Sequence, residues 1–159
     1  MNIKLQKKKP YSCRTLENKI LSNWEKTIGL YNKGEYSTVV IRAATTVELS
    51  ANLLIKFEFQ INNGLPESFI KNLMLWANGL NGKIKNLLLP FFKGTETERD
   101  LKEIKNKIKH INKERNNIVH KGQFKEKETA KNIIFEAQFI INKFSLLASS
   151  KLKVSAEIK

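Results

Sequence analysis

Cysteine is all but missing from this chain: Cys13 stands alone in 159 residues. A single thiol excludes an internal disulfide and any metal site built on cysteine pairs. Histidine occurs only as His110 and His120, with no second ligand at metal-binding spacing, so neither a metal nor a cofactor is expected. Three prolines and seven glycines leave no linker between domains, and one domain is the expectation at this length. No apolar run approaches the length of a membrane span. The N-terminal lysines have no apolar stretch behind them, which argues against a secretory signal. A cytoplasmic setting without a membrane partner follows as the expectation. Acid is scarce as well, with 15 Asp and Glu against 29 Lys and Arg, a net charge of +14. That imbalance points to an anionic partner, nucleic acid first.

What is abundant is helical periodicity. Thr15 is a candidate N-cap, followed by Leu16, Ile20, Trp24, Ile28 and Tyr31 at helical spacing, and Gly34 ends that helix. Ser37 or Thr38 is the expected cap of a second helix running to about Phe59, apolar around much of its girth and therefore central. Asn62-Asn63-Gly64-Leu65-Pro66 signals a turn. A shorter helix follows over about Glu67 to Ala77. Asn78-Gly79 and Asn81-Gly82 are read as breaks, with Ile84 to Phe92 as a brief apolar crossing. Thr95 with Glu98 forms a capping-box pattern ahead of Leu101, Ile104, Ile108, Ile111, Arg115 and Ile118, three and four apart. Gly122 is placed for a left-handed C-terminal cap. A last helix is expected from roughly Glu126 to Ala148. The fold class is all-α: a bundle of four long helices with one or two short ones. Residues 1–14 read as a basic tail, 15–150 as the bundle and 151–159 as a frayed tail.

The positive charge is not evenly spread. Between Leu101 and Lys131 ten Lys or Arg face four Glu, and both histidines fall there. The same region contains Glu114-Arg115-Asn116-Asn117-Ile118-Val119-His120-Lys121-Gly122. Arginine presents a planar fork of donors suited to phosphate, and histidine is the side chain that exchanges a proton most readily near neutral pH. A solvated lysine-rich helix face is the competing explanation of the charge.

Arg115-Asn116-x-Ile118-Val119-His120-x-Gly122 resembles the signature of the HEPN superfamily (higher eukaryotes and prokaryotes nucleotide-binding domains). Upstream, Leu30-Tyr31-Asn32-Lys33-Gly34-Glu35-Tyr36, running into Val39-Val40-Ile41-Arg42-Ala43-Ala44-Thr45-Thr46-Val47-Glu48, is similar to the Gly-x-Tyr turn and glutamate-bearing apolar helix of many such domains. The resemblance spans roughly Thr15 to Ser150. It implies a HEPN-like helical bundle, a homodimer with its motifs facing across the interface, and metal-independent cleavage of RNA by a toxin or antiphage-defence effector. An antitoxin protein is then a further expected partner. In the branch paired with small nucleotidyltransferase antitoxins, a tyrosine two residues past the histidine receives AMP. Gly122 stands there in this chain, which removes that route of neutralisation.

Arg115, Asn116 and His120 are thus the catalytic candidates, with Lys109, Lys113 and Lys121 as RNA-binding candidates. Five residues along one straight helix separate Arg115 from His120 by about 140° and about 7.5 Å, so one protomer alone does not easily bring both to one phosphate. Asn116 and His120, four apart, share a face. Glu48, at heptad spacing from Ile41 and Ile55, is a supporting candidate that would orient Arg115, assist proton transfer or serve only as a counter-charge. Tyr36 reads as a packing residue, and His110 as solvated. Two further readings compete: a non-catalytic HEPN-like module binding RNA or a protein, and a basic helical protein that associates with duplex DNA.

Overall fold

Thr15 starts the first long helix as the periodicity requires. Its Oγ1 accepts a hydrogen bond from the Asn18 backbone N–H at 3.2 Å, and α1 runs Leu16–Asn32. The computed structural model describes residues 9–159, so the first eight residues of the basic tail lie outside it. Helix α2 spans Tyr36–Lys56 and widens into a π-helical end over Phe57–Asn62. Then come α3 (Glu67–Ala77), α4 (Gly79–Lys83, continuing through π-helical Ile84–Leu88 and Leu89–Phe91), α5 (Glu96–Lys121) and α6 (Lys127–Leu147). Among the described residues there is no strand. The all-α class and the pattern of four long helices with short ones between them are as the sequence indicates.

Helix α2 is the spine. It packs against α1 and α6 along most of its length, and against α4 and α5 on another side. Val39, Val40, Ala43, Val47, Ala51, Leu54 and Ile55 of α2 are all fully buried, facing Ile133, Ile134, Ile140, Ile141 and Phe144 of α6 among others. Burying one such branched side chain contributes about 1.5–3 kcal/mol, so this seam supplies much of the driving force for folding. Its buried hydroxyls are satisfied locally: Thr46 Oγ1 donates to the Arg42 carbonyl at 2.8 Å and Ser50 Oγ to that of Val47 at 2.7 Å. Contrary to the reading that no membrane-length run exists, Tyr36–Asn62 is long and apolar enough by length and composition to cross a bilayer. The apolar character is that of a helix covered on several sides by its neighbours.

Several local expectations need correction. Ser37 does not cap α2. Glu35 holds the N-cap position without a side-chain bond, and Ser37 Oγ instead accepts from the Lys125 N–H at 2.9 Å, tethering the α5–α6 loop to the start of α2. At α5 the capping box is shifted by one residue: Glu98 Oε2 reaches back to the Gly94 N–H at 2.7 Å, while Thr95 Oγ1 donates to the Phe92 carbonyl. Asn78, at φ 36°, does end α3, but Asn81-Gly82 breaks nothing. Gly82 sits inside α4 because the Ala77 carbonyl occupies the space a Cβ would take. The apolar crossing over Ile84 to Phe92 is accordingly helical, with Leu87 and Leu88 buried.

The C-terminal residues are not frayed either. Val154 is buried, and its backbone is gripped in both directions by the Asn142 amide, at 2.9 and 2.8 Å. Trp24 Nε1 donates to the Ser155 carbonyl at 2.8 Å. An extended segment with alternate residues Leu152, Val154, Ala156 and Ile158 turned to the core has a reason to dock that helical periodicity does not reveal.

Candidate functional site

Helix α5 divides into two stretches. Leu101, Ile104, Ile108 and Ile111 are its buried residues, and from Asn112 to Lys121 none is buried. The last three turns therefore emerge from the bundle, and the Arg–His segment lies on them. The helix stays α-helical through Lys121 and ends on Gly122 in the left-handed region (φ 63°). The Gly122 N–H bonds the Ile118 carbonyl and that of Gln123 the Asn117 carbonyl, each at 3.1 Å. An L residue is strained at that backbone angle.

Helical geometry then assigns faces. At about 100° per residue, Arg115 continues the buried stripe of Ile104, Ile108 and Ile111, and Ile118 does so as a partly buried residue packed on the core. His120 falls on the opposite flank. It shares that flank with Lys109, Lys113 and Asn116, spaced four, three and four apart, so these polar groups form one stripe along the outside of α5. Lys109, Lys113, His120 and Lys121 are all exposed. Lys121 lies about 80–140° around from the members of the stripe. Lys109 also edges a separate cleft with Asn81, Lys85 and Lys105.

Arg115 is half-buried, and its one side-chain hydrogen bond among the described residues is Nη1 to Asn116 Oδ1 at 3.0 Å. That bond draws the guanidinium off the seam toward the outward stripe. Glu48, which the sequence offered as a counter-charge, and Glu114, adjacent to Arg115 in the chain, are both held elsewhere. Glu48 Oε1 pairs with Lys83 Nζ at 2.6 Å, and the Lys83 side chain is 8% exposed. Glu114 Oε2 pairs with Lys125 Nζ, also at 2.6 Å. Arg115 has no ion-pair partner among the described residues. Glu48 thus serves as the counter-charge of buried Lys83 and lies at the edge of the same cleft as Arg115 without a bond to it.

That cleft, about 300 Å³, is formed where α2, the α3–α4 turn and α5 meet; Thr45, Glu48, Asn78, Asn112 and Arg115 supply its polar lining. Asn112 escaped the sequence reading, although its spacing three residues before Arg115 was the available signal. Lys83 escaped it because a lysine next to an Asn-Gly pair reads as a turn. His110 is not simply solvated as expected: its partly exposed ring has Nδ1 2.8 Å from Glu136 Oε2, a hydrogen-bond contact between α5 and α6. Tyr36 packs edge-on to Tyr31, ring centroids 5.5 Å apart, as anticipated. His120 makes no side-chain hydrogen bond among the described residues. Compared with known proteins, the chain matches no family model, no curated protein and no solved structure.

Proposed function

We propose that this chain is a metal-independent endoribonuclease of the HEPN type, acting as a homodimer in the cytoplasm as a toxin or antiphage-defence effector. The observation that carries the reading is Arg115, a half-buried guanidinium left without a carboxylate while both neighbouring glutamates are taken by lysines. An arginine held in a cleft and not neutralised by acid is suited to a phosphodiester, which accepts its parallel N–H bonds. The outward stripe of Lys109, Lys113, Asn116 and His120 supports the same substrate, since two exposed lysines and further hydrogen-bonding side chains along one helix face can follow a phosphate backbone.

The chemistry is transesterification. The RNA 2′-oxygen loses its proton, forms a bond to phosphorus, and the bond from phosphorus to the 5′-oxygen breaks with a proton delivered to that oxygen. His120 accepts the first proton or supplies the second. Arg115 stabilises the charge that develops on the phosphoryl oxygens, and Asn116, already bonded to Arg115, fixes the direction of the guanidinium. The products are a 2′,3′-cyclic phosphate (or its opened form) and a 5′-hydroxyl. DNA, lacking the 2′-hydroxyl, is not cut. Because Arg115 and His120 face different sides of α5, the reading requires Arg115 of one protomer to meet His120 of its partner. Val119 and Phe124, exposed beside His120 at 46% and 94%, are apolar surface that such a partner covers. An antitoxin protein is the further partner proposed for this face.

Incubating the purified chain with mixed RNA in excess chelator, then mapping the cut ends, tests the proposal. Cyclic-phosphate and 5′-hydroxyl ends support it; 5′-phosphate ends, or cutting only with added metal, refute it. A second reading, a non-catalytic module of the same type that binds RNA or a protein, is favoured by one observation: among the described residues no side-chain hydrogen bond orients the His120 ring. RNA binding without cutting in the same assay selects it.

A further inference from the structure

The cleft beside Arg115 is larger and more varied than a phosphate needs. Besides the guanidinium it offers four polar groups: the Glu48 carboxylate and Thr45 hydroxyl on α2, the Asn112 amide on α5 and the Asn78 amide at the α3–α4 turn. Glu48 is held by Lys83 through Oε1 at 2.6 Å, which fixes the carboxylate and leaves Oε2 unpaired with any base among the described residues. The Thr45 hydroxyl spends its proton on the Ile41 carbonyl, so toward the cleft it can only accept. Glu48 and Thr45 thus offer acceptors from α2, while the Asn78 and Asn112 amides can donate or accept.

We infer that this cleft is a nucleobase subsite selective for guanine, seated next to the phosphate bound by Arg115; the inference rests on the ribonuclease reading for the identity of that phosphate. Guanine is the RNA base that presents two adjacent donors, N1–H and the N2 amino group, on one edge. A carboxylate accepts both side by side, Oε2 taking one donor and Oε1 the other through the lone pair that Lys83 does not use, in the same parallel geometry that joins carboxylates to guanidinium groups. Adenine and cytosine present a ring acceptor next to their amino donor, and uracil flanks its one donor with carbonyls, so each sets an acceptor against Glu48. The Asn112 amide, which can donate as well as accept, is free to bond the remaining edge of the base. A polar site left unpaired by the wrong base discriminates strongly, because the unmatched groups lose water without compensation.

The test is equilibrium binding of the four ribonucleoside 3′-monophosphates to the full-length chain. Guanosine 3′-monophosphate is expected to bind at least about tenfold more tightly than the other three. Both E48Q and N112A are expected to shrink that preference, E48Q to within about twofold. Because E48Q leaves buried Lys83 without its partner, N112A, a partly exposed position with no side-chain bond among the described residues, keeps the test valid if E48Q does not fold. H120A is expected to retain the guanine preference, since the base subsite does not include the imidazole. Equal binding of the four nucleotides, preference for another base, or a guanine preference unchanged in N112A overturns the inference. A guanine preference in a chain that cuts no RNA keeps the subsite and removes the nuclease; RNA cutting with no base preference does the reverse.

Discussion

The two stretches of α5 share one unbroken helical backbone and do opposite work. From Glu96 to Ile111 the helix buries a regular apolar stripe and ties itself to α6 through His110–Glu136 and Lys143–Asp100. From Asn112 to Lys121 no residue is fully buried, only Ile118 still packs on the core as an apolar side chain, and the stretch carries Arg115, Asn116 and His120 before ending on a left-handed glycine. The first stretch is held by the core and holds the second rigid; the second keeps little packing duty beyond Ile118 and leaves its polar side chains open to a ligand. A site on the exposed continuation of a buried helix is positioned more precisely than one on a loop.

If that division is right, substitutions in the two stretches should separate stability from activity. Arg115→Ala and His120→Ala are expected to lower RNA cleavage by about 10²-fold or more while shifting unfolding free energy by no more than about 0.5 kcal/mol; a loss of stability that accounts for the lost cleavage contradicts the division. Ile108→Ala in the first stretch should cost about 2–5 kcal/mol in a denaturant titration, through lost burial and the cavity left behind. Its cleavage per folded molecule should stay near that of the parent chain. Gly122→Ala, at the join with the next loop, should cost about 1–2 kcal/mol because its φ of 63° strains any L side chain. The same melt shows whether the cap steadies the outer turns.

The smallest effect belongs to the start of α5. The Lys102 ammonium, and after it the Gly94 N–H, hold the partly exposed Glu98 carboxyl below the usual carboxylate range. A carboxyl depressed by folding stabilises the folded state above its unfolded pKa and loses that contribution as pH falls through the lowered folded value. The difference in melting temperature between the parent chain and Glu98→Gln should therefore shrink on acidification. A difference that stays constant from neutral to strongly acid pH contradicts this assignment.

Helix existence was legible wherever the apolar period was long and uninterrupted. Helix α3 begins and ends where the pattern does, and Thr15 and Gly122 act as the caps their neighbours implied. The reading failed where a local signal was overruled by tertiary contact. The Asn81-Gly82 pair looks like a turn, yet Gly82 is there because the Ala77 carbonyl comes too close for a side chain. Residues after Ser149 show no helical period, and they dock through Asn142 and Trp24, partners that lie far back in the sequence. At the site, Arg115, Asn116 and His120 could be named from their types and spacing. Which carboxylates they meet could not: Glu48 and Glu114 were each claimed by a lysine from another element, and such pairings are set by how helices cross.

The most direct test of the two-protomer site is RNA cleavage by a mixture of Arg115→Ala and His120→Ala chains, allowed to exchange subunits. Each variant alone lacks one group from both of its sites. In a mixed dimer, the Arg115 kept by one chain faces the His120 kept by the other, and one complete site is restored. Random pairing makes half the dimers mixed, so the mixture should recover about a quarter of the parent activity. A mixture as inactive as its two components, with subunit exchange demonstrated, contradicts a site built from both protomers.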